Sequence, residues 1–211
     1  MYLSRIELDL VNYKTRRALS SPQVLHAAVE NCFPDKEEKD RKLWRLDRLQ
    51  GKVFLLLLSP EKPDFSLFSK QFCSTGVVGE TKDYKPLLSS IRNDDSLRFR
   101  LRANPVHSIL TDKGERGKVY AHVTTSQKRD WLIEKAHTCG FELNKDLFDV
   151  VETDRLRFWR DRKERPVEIE AVVFEGILKV LDTDMFIKTL SQGLGRAKAY
   201  GCGLITIARM S

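Results

Sequence analysis

An α+β fold of two successive β-α-β-β-α-β units is what this sequence predicts, and three observations predict it. Apolar residues alternate with charged ones at Arg5–Leu10 and again at Leu97–Arg102, the two-residue period of a half-buried strand. Each of these strands is followed by helix signals and then by two further apolar stretches. Between the halves, Asn93-Asp94-Asp95-Ser96 is a cluster of turn residues. The chain therefore divides into residues 1–93 and 94–211.

In the first half, Ile6, Leu8 and Leu10 alternate with Arg5, Glu7 and Asp9, giving a strand over Leu3–Leu10. That pattern is a strand and not a signal peptide. Ser21 as N-cap and Pro22 at the first helical position open a helix, and Pro34 stops it. Two strands follow near Leu43–Leu46 and Lys52–Leu58. The run Val53-Phe54-Leu55-Leu56-Leu57-Leu58 is far short of the ~20 residues a membrane-spanning helix needs and reads as a strand buried on both faces. A short amphipathic helix at Phe65–Phe72 leads through a less regular stretch, Tyr84–Ile91, to a weak last strand.

The second half opens with strand Leu97–Arg102. A helix covers Ser126–Thr138 and is closed by Gly140. Strands near Leu147–Thr153 and Glu168–Val180 flank a charged hairpin. A helix over Asp184–Leu190 precedes a glycine-rich loop, and Leu204–Ala208 is the last strand. Two such units make two ferredoxin-like sheets, each with helices on one face. A single larger α+β domain is the other organisation the pattern permits.

The 211 residues carry a net charge of +7, and 41% are apolar, enough for packed interiors. The basic balance favours an anionic partner, nucleic acid before membrane surface. Cys32, Cys73, Cys139 and Cys202 are scattered with no C-x-x-C pair, which points to reduced thiols in the cytoplasm. Cys32, on an apolar helix face, reads as a small core residue.

The densest charge lies at 155–165, where six of eleven residues are basic and two acidic, with Phe158 and Trp159 interleaved. Arginine forks match phosphate oxygens and aromatic rings stack on bases, so Arg155, Arg157, Arg160, Arg162 and Lys163 are candidates for RNA contact. The other reading is a solvated hairpin whose charge protects an edge strand. Arg98, Arg100 and Arg102 share one strand face. Either an anion lies opposite this row, or acids on neighbouring strands pair with it.

The loop Gly193-Leu194-Gly195-Arg196-Ala197-Lys198-Ala199-Tyr200-Gly201-Cys202-Gly203 fits neither a P-loop nor a dinucleotide fingerprint. Its amides, with Arg196 and Lys198, suit a phosphate. A tight link between helix and strand is the alternative. The four histidines have no zinc-ligand spacing, and no metal or other cofactor is expected. His26 flanks the apolar stripe of Leu25, Ala28, Val29 and Cys32, about 100° from Leu25 around the axis. It can take a proton from a ribose hydroxyl at neutral pH, or be a boundary residue without function.

Read together, Met1-Tyr2-Leu3-Ser4, the run Arg98-Phe99-Arg100-Leu101-Arg102-Ala103-Asn104-Pro105, the segment Val173-Phe174-Glu175-Gly176 and the glycine-rich loop resemble the CasE family. These are the CRISPR repeat-processing endoribonucleases of the type I-E Cascade complex, and the resemblance runs the length of the chain. It implies tandem ferredoxin-like domains and a substrate that is the hairpin repeat of precursor CRISPR RNA, cut on the 3′ side of the stem. It implies metal-independent attack by the 2′-hydroxyl, leaving a 2′,3′-cyclic phosphate and a 5′-hydroxyl.

The family's histidine on the first helix matches His26, which is then the general acid/base. The resemblance further implies that the product stays bound. The enzyme, a monomer when free, caps one end of Cascade beside its backbone subunit. Gln23 departs from the pattern, standing where relatives carry a tyrosine; glutamine donates hydrogen bonds but not protons. Tyr13, Arg16, Arg17 and Lys198 are the candidates to support His26. Lys198 matches a family lysine, Arg196 stands where relatives often have proline, and the 155–165 hairpin matches in place and character. A non-catalytic RNA-binding subunit of the same fold is the alternative. Neither half carries the aromatic signature of an RNA-recognition motif, so stem shape and phosphates are the expected readout.

Overall fold

A computed structural model describes residues 1–33, 41–109, 118–159 and 165–210. The first half runs β1 (Tyr2–Leu8), α1 (Tyr13–Leu19), α2 (Pro22–Glu30), β2 (Leu43–Leu49), β3 (Lys52–Ser59), α3 (Ser66–Phe72), β4 (Glu80–Asp83) and α4 (Lys85–Ser89). The second runs β5 (Ser96–Ala103), β6 (Val106–Ile109), β7 (Lys118–Ala121), α5 (Thr125–His137), β8 (Phe141–Phe158), β9 (Val167–Val180), α6 (Thr183–Gln192) and β10 (Ile205–Arg209). Two four-stranded sheets result, ordered β2-β3-β1-β4 and β10-β5-β9-β8, with every neighbouring pair antiparallel. Counted within its own half, each has strand order 2-3-1-4 or its reverse, the ferredoxin-like topology the repeated pattern predicts.

Alternation explains the sheets. On β1, Ser4, Ile6 and Leu8 are buried, and on β3 the partners Leu57, Leu55 and Val53 face the same core. α2 adds Leu25 and Val29, and α3 adds Phe68 and Phe72. The second core gathers Leu97, Phe99 and Leu101 of β5 with Phe174 and Leu178 of β9, Leu132 of α5 and Phe186 of α6. Each such side chain, fully buried, contributes about 1.5–3 kcal/mol.

Five elements depart from expectation. α1 is a helix within the stretch read as a connection, because the Asn12 side chain accepts from the Lys14 amide and starts it; a single polar cap carries little periodic signal. The last strand of the first sheet is β4, ahead of Tyr84, held by four register pairs with β1. β6 and β7 form a separate two-stranded ribbon. β8 continues to Phe158, so Arg155 and Arg157 are strand residues and not loop. It crosses β9 closely at Gly176, where a β-carbon would strike the Leu147 carbonyl and the Phe148 backbone.

The halves meet along β2 and the glycine-rich loop. Leu43 and Leu58 pack with Tyr84 and Leu204. Arg45, 1% exposed, crosses the seam. It donates to Asp47 Oδ1 and Oδ2 at 2.7 and 2.8 Å, and to Arg100 O, Leu204 O and Thr206 Oγ1 at 2.7, 3.0 and 2.8 Å. Gly201 has φ +78°, and a β-carbon there would lie 2.7 Å from the Trp44 ring. Gly201→Ala is therefore expected to destabilise by about 1–3 kcal/mol from overpacking and from its backbone conformation. A lower urea midpoint at unchanged m value would show it.

Burial settles the thiols. All four cysteines are unpaired. Burial, with Asp64 and Glu30 nearby, pushes the Cys32 thiol up to about 12, so it is a core residue and not a nucleophile at neutral pH. No described helix is long and apolar enough to cross a membrane.

Candidate nucleic-acid interface

α2 starts at Pro22, whose fixed φ suits the first helical position, and buries Leu25, Ala28 and Val29 against the first sheet. This leaves His26 at the edge with its side chain 40% exposed. One turn on, Glu30 Oε1 lies 3.9 Å from His26 Nδ1, and Glu30 Oε2 accepts from Lys42 Nζ at 3.2 Å. Lys42 in turn lies over the Phe33 ring. The Glu30 carboxylate thus forms an ion pair with His26 whenever the imidazole is protonated. Sequence reasoning missed this arrangement, although the four-residue spacing from His26 to Glu30 was the available signal.

Gln23 is half-buried on α2, three residues before His26. Tyr13, Arg16 and Arg17 are exposed on α1, which packs on α2. The glycine-rich loop reaches the same helix from the other half. Its 3-10 turn, Lys198–Tyr200, bears against α2 and β2. Tyr200, Leu19, Pro22 and Leu156 line one narrow cleft of about 80 Å³ between them.

Lys198 sits half-buried beside Arg41. Burial, reinforced by the Arg41 charge, holds its ammonium below the usual lysine range. The two cations line an open recess of about 580 Å³ with Met1, Pro60 and Gln192. Neither has an acidic partner among the described residues, so an arriving anion relieves both.

The arginine row on β5 divides. Arg100 pairs with Glu175, its direct register partner on β9, with Asp47 at 3.2 Å, and with Glu152 at 3.9 Å. Arg102 is 6% exposed and pairs with Asp154 at 2.9 Å. An anion opposite the whole row is therefore not the arrangement: β2, β8 and β9 bring acids to that face, and Arg100 and Arg102 are structural. Arg98 remains exposed beside Ile177 and Ala208, without an acidic partner among the described residues.

On β8, Arg155 and Arg157 point outward, 77% and 60% exposed, and share one carboxylate, Glu168, at 3.2 and 3.3 Å. Arg157 also lies over the Trp159 ring, 5.7 Å from its centroid. Two cations against one acid leave net positive charge on this face. Phe158 is not available to stack on a base. It is buried with its ring 4.9 Å from Tyr200, in a cluster with Ile169, Ala171 and Cys202. That contact ties the hairpin root to the glycine-rich loop, which in turn touches α2. Arg160, Arg162 and Lys163 lie outside the described residues. Arg196 is exposed on the loop.

The end of β8, the loop and the His26 helix are thus linked through Phe158, Tyr200 and α2. Arg155 and Arg157 share a single acid, while Arg41 and Lys198 have none among the described residues. No set of three or more metal-ligating side chains is grouped among the described residues. Fold and surface together define a tandem ferredoxin-like protein suited to a polyanionic strand. The profile of the CRISPR-associated protein family matches residues 1–209, and the chain belongs to that family.

Its relatives agree. It is 28% identical over 220 aligned positions to the CRISPR-associated endoribonuclease Cse3 of Thermus thermophilus, covering 99% of this chain and 100% of that one. It is 25% identical over 191 positions to the Cascade subunit CasE of Escherichia coli K12, covering 87% and 90%. Cse3 bound to a 19-nucleotide RNA superposes with a TM-score of 0.84, at 28% identity, over 99% of this chain and 100% of that one.

Proposed function

We propose that the chain is a CRISPR repeat-processing endoribonuclease and a subunit of a Cascade complex, working in the cytoplasm. Its partners are the repeat hairpin RNA and the neighbouring Cascade backbone subunit. The observation that carries this reading is the half-exposed His26 on α2, the helix on which the cationic loop packs, with that loop tied through Tyr200 and Phe158 to the exposed arginines of β8. We assign residues 1–93 to the unit carrying the cleavage site and 94–211 to the unit carrying hairpin and loop. The stem lies along Arg155 and Arg157, recognised by shape and phosphates.

The neutral His26 imidazole takes the proton of the 2′-hydroxyl as that oxygen attacks the adjacent phosphorus. The imidazolium, steadied by Glu30, returns a proton to the departing 5′-oxygen. Bond formation and cleavage at one phosphorus leave a 2′,3′-cyclic phosphate and a 5′-hydroxyl. Negative charge on the phosphoryl oxygens is met by Lys198 and by the Gln23 carboxamide, with Tyr13, Arg16 and Arg17 on the neighbouring helix. The reading is metal-independent.

Gln23 favours one second reading, a subunit that binds the repeat without cutting it. Incubating wild type with the repeat hairpin in excess chelator separates the two. Products ending in a cyclic phosphate and beginning with a 5′-hydroxyl are expected, and tight binding without cleavage would establish the non-catalytic subunit. For the hairpin, Arg155→Ala and Arg157→Ala are each expected to reduce the salt slope of RNA binding by roughly 0.7–0.9. Unchanged slopes in a filter-binding series would make the hairpin a solvated edge.

A further inference from the structure

Beyond the glycine-rich loop lies a second cavity that the cleavage chemistry does not use. It measures about 380 Å³, within the ~300–1,000 Å³ range of small-ligand pockets. The β6–β7 ribbon, α5 and the loop enclose it. Asn104, His107 and His122 come from β5–β7 and their flanks, Trp131 and Lys135 from α5, and Arg196 from the loop. Three aromatic rings cluster on the ribbon side: His107 and His122 have centroids 4.8 Å apart, and His107 stacks on Tyr120 at 6.0 Å and 29°. Gly195 lets the loop run over the indole, its missing β-carbon being 3.4 Å from Trp131 Cη2.

Two features point to a ligand. Asn104 is 9% exposed, and its Oδ1 is buried with no donor among the described residues, an arrangement that costs free energy unless something else supplies a donor. Arg196 and Lys135 are both exposed and have no acidic partner among the described residues. Burial and the neighbouring His107 hold His122 below its ordinary value, against the opposing pull of Glu134. His122 is therefore a neutral ring at pH 7, and the fixed positive charge comes from Arg196 and Lys135. Aromatic faces beside guanidinium and ammonium groups are how single-stranded nucleotides are held without sequence preference.

We propose that this cavity binds one unpaired ribonucleotide flanking the RNA stem, its base on the His107–His122 rings and its phosphate on Arg196 and Lys135. A base amino or imino group supplies the donor that Asn104 Oδ1 lacks, and Glu134 at the rim accepts from a ribose hydroxyl. The site rests on the RNA reading above. Arg196 stands two residues from Lys198, so the loop that meets the cleavage helix on one side presents this cavity on the other.

The test compares two RNAs, the repeat stem alone and the stem with its single-stranded flanks. His107→Ala/His122→Ala is expected to weaken binding of the flanked RNA about tenfold, the weight of one base stack, and to leave the bare stem within twofold of wild type. His107→Phe/His122→Phe, which keeps the aromatic faces, is expected to restore the flanked affinity. An equal loss on both RNAs, or no loss on either, overturns the assignment. So does binding of free adenosine 5′-monophosphate by the RNA-free protein with no flank effect, which would make this a mononucleotide site. Wild type that binds neither RNA overturns the RNA reading itself, a result distinct from all of these.

Discussion

His26→Ala is expected to slow single-turnover cleavage of the repeat hairpin by about 10²–10⁴-fold, the range over which a positioned proton-transfer group acts. Affinity for the same RNA should stay within a few-fold of wild type. The side chain lies at the edge of α2, 40% exposed, with no part in the core, so its removal costs little stability. The cations on the loop and the hairpin stay in place. Rapid-quench cleavage with chelator present, alongside binding to a non-cleavable 2′-deoxy substrate, reads the two quantities separately. Equal cleavage rates would move the chemistry to another residue. A parallel loss of binding would make His26 an RNA contact instead of a proton carrier. Glu30→Gln is a graded companion, because it keeps the shape beside Nδ1 and removes the charge.

The second large effect lies at the seam. Arg45→Met is expected to destabilise the fold by about 3–5 kcal/mol, the usual cost of removing one partner from a buried, hydrogen-bonded ion pair. Methionine roughly preserves the apolar stem but leaves the carbonyls of Arg100 and Leu204 and the Thr206 hydroxyl without the donors they now have. Asp47 keeps Arg100 at 3.2 Å, which limits the loss. Lysine is a poor substitute, since one ammonium cannot reproduce the planar fork that serves both carboxylate oxygens.

Urea unfolding by circular dichroism measures the effect. Two separate cores make a non-two-state transition a real outcome for the variant, visible as a changed m value. A shift below 0.5 kcal/mol would mean that the seam is held by its apolar contacts, Leu43, Leu58, Tyr84 and Leu204 among them. Because Arg45 links β2 to β5 and β10, its loss should also loosen the loop against α2 and slow RNA cleavage.

Much of the architecture was legible in the sequence. Strict alternation at Arg5–Leu8 and Leu97–Arg102 reports a backbone period and an inward face, both local properties that need no knowledge of neighbours. Pro22 marked the start of α2, and the stripe of Leu25, Ala28 and Val29 put His26 at its flank. The excess of arginine at 155–165 and the glycine spacing at 193–203 marked the exposed β8 cations and the loop that packs on α2.

Tertiary structure alone decided which of those charges are free. Arg98, Arg100 and Arg102 look alike along the chain, yet register with Glu175 and the approach of Asp47 and Asp154 neutralise two of them. Phe158 and Trp159 are adjacent aromatics, but only Phe158 meets Tyr200 across the fold and becomes core. Arg45 reads as one more surface cation on a strand until the second sheet closes over it. The cavity bounded by Asn104, His122 and Arg196 joins segments more than ninety positions apart. In each case the deciding fact is a partner brought by strand register or by docking of the two halves, and periodicity along one strand carries no information about what lies across from it.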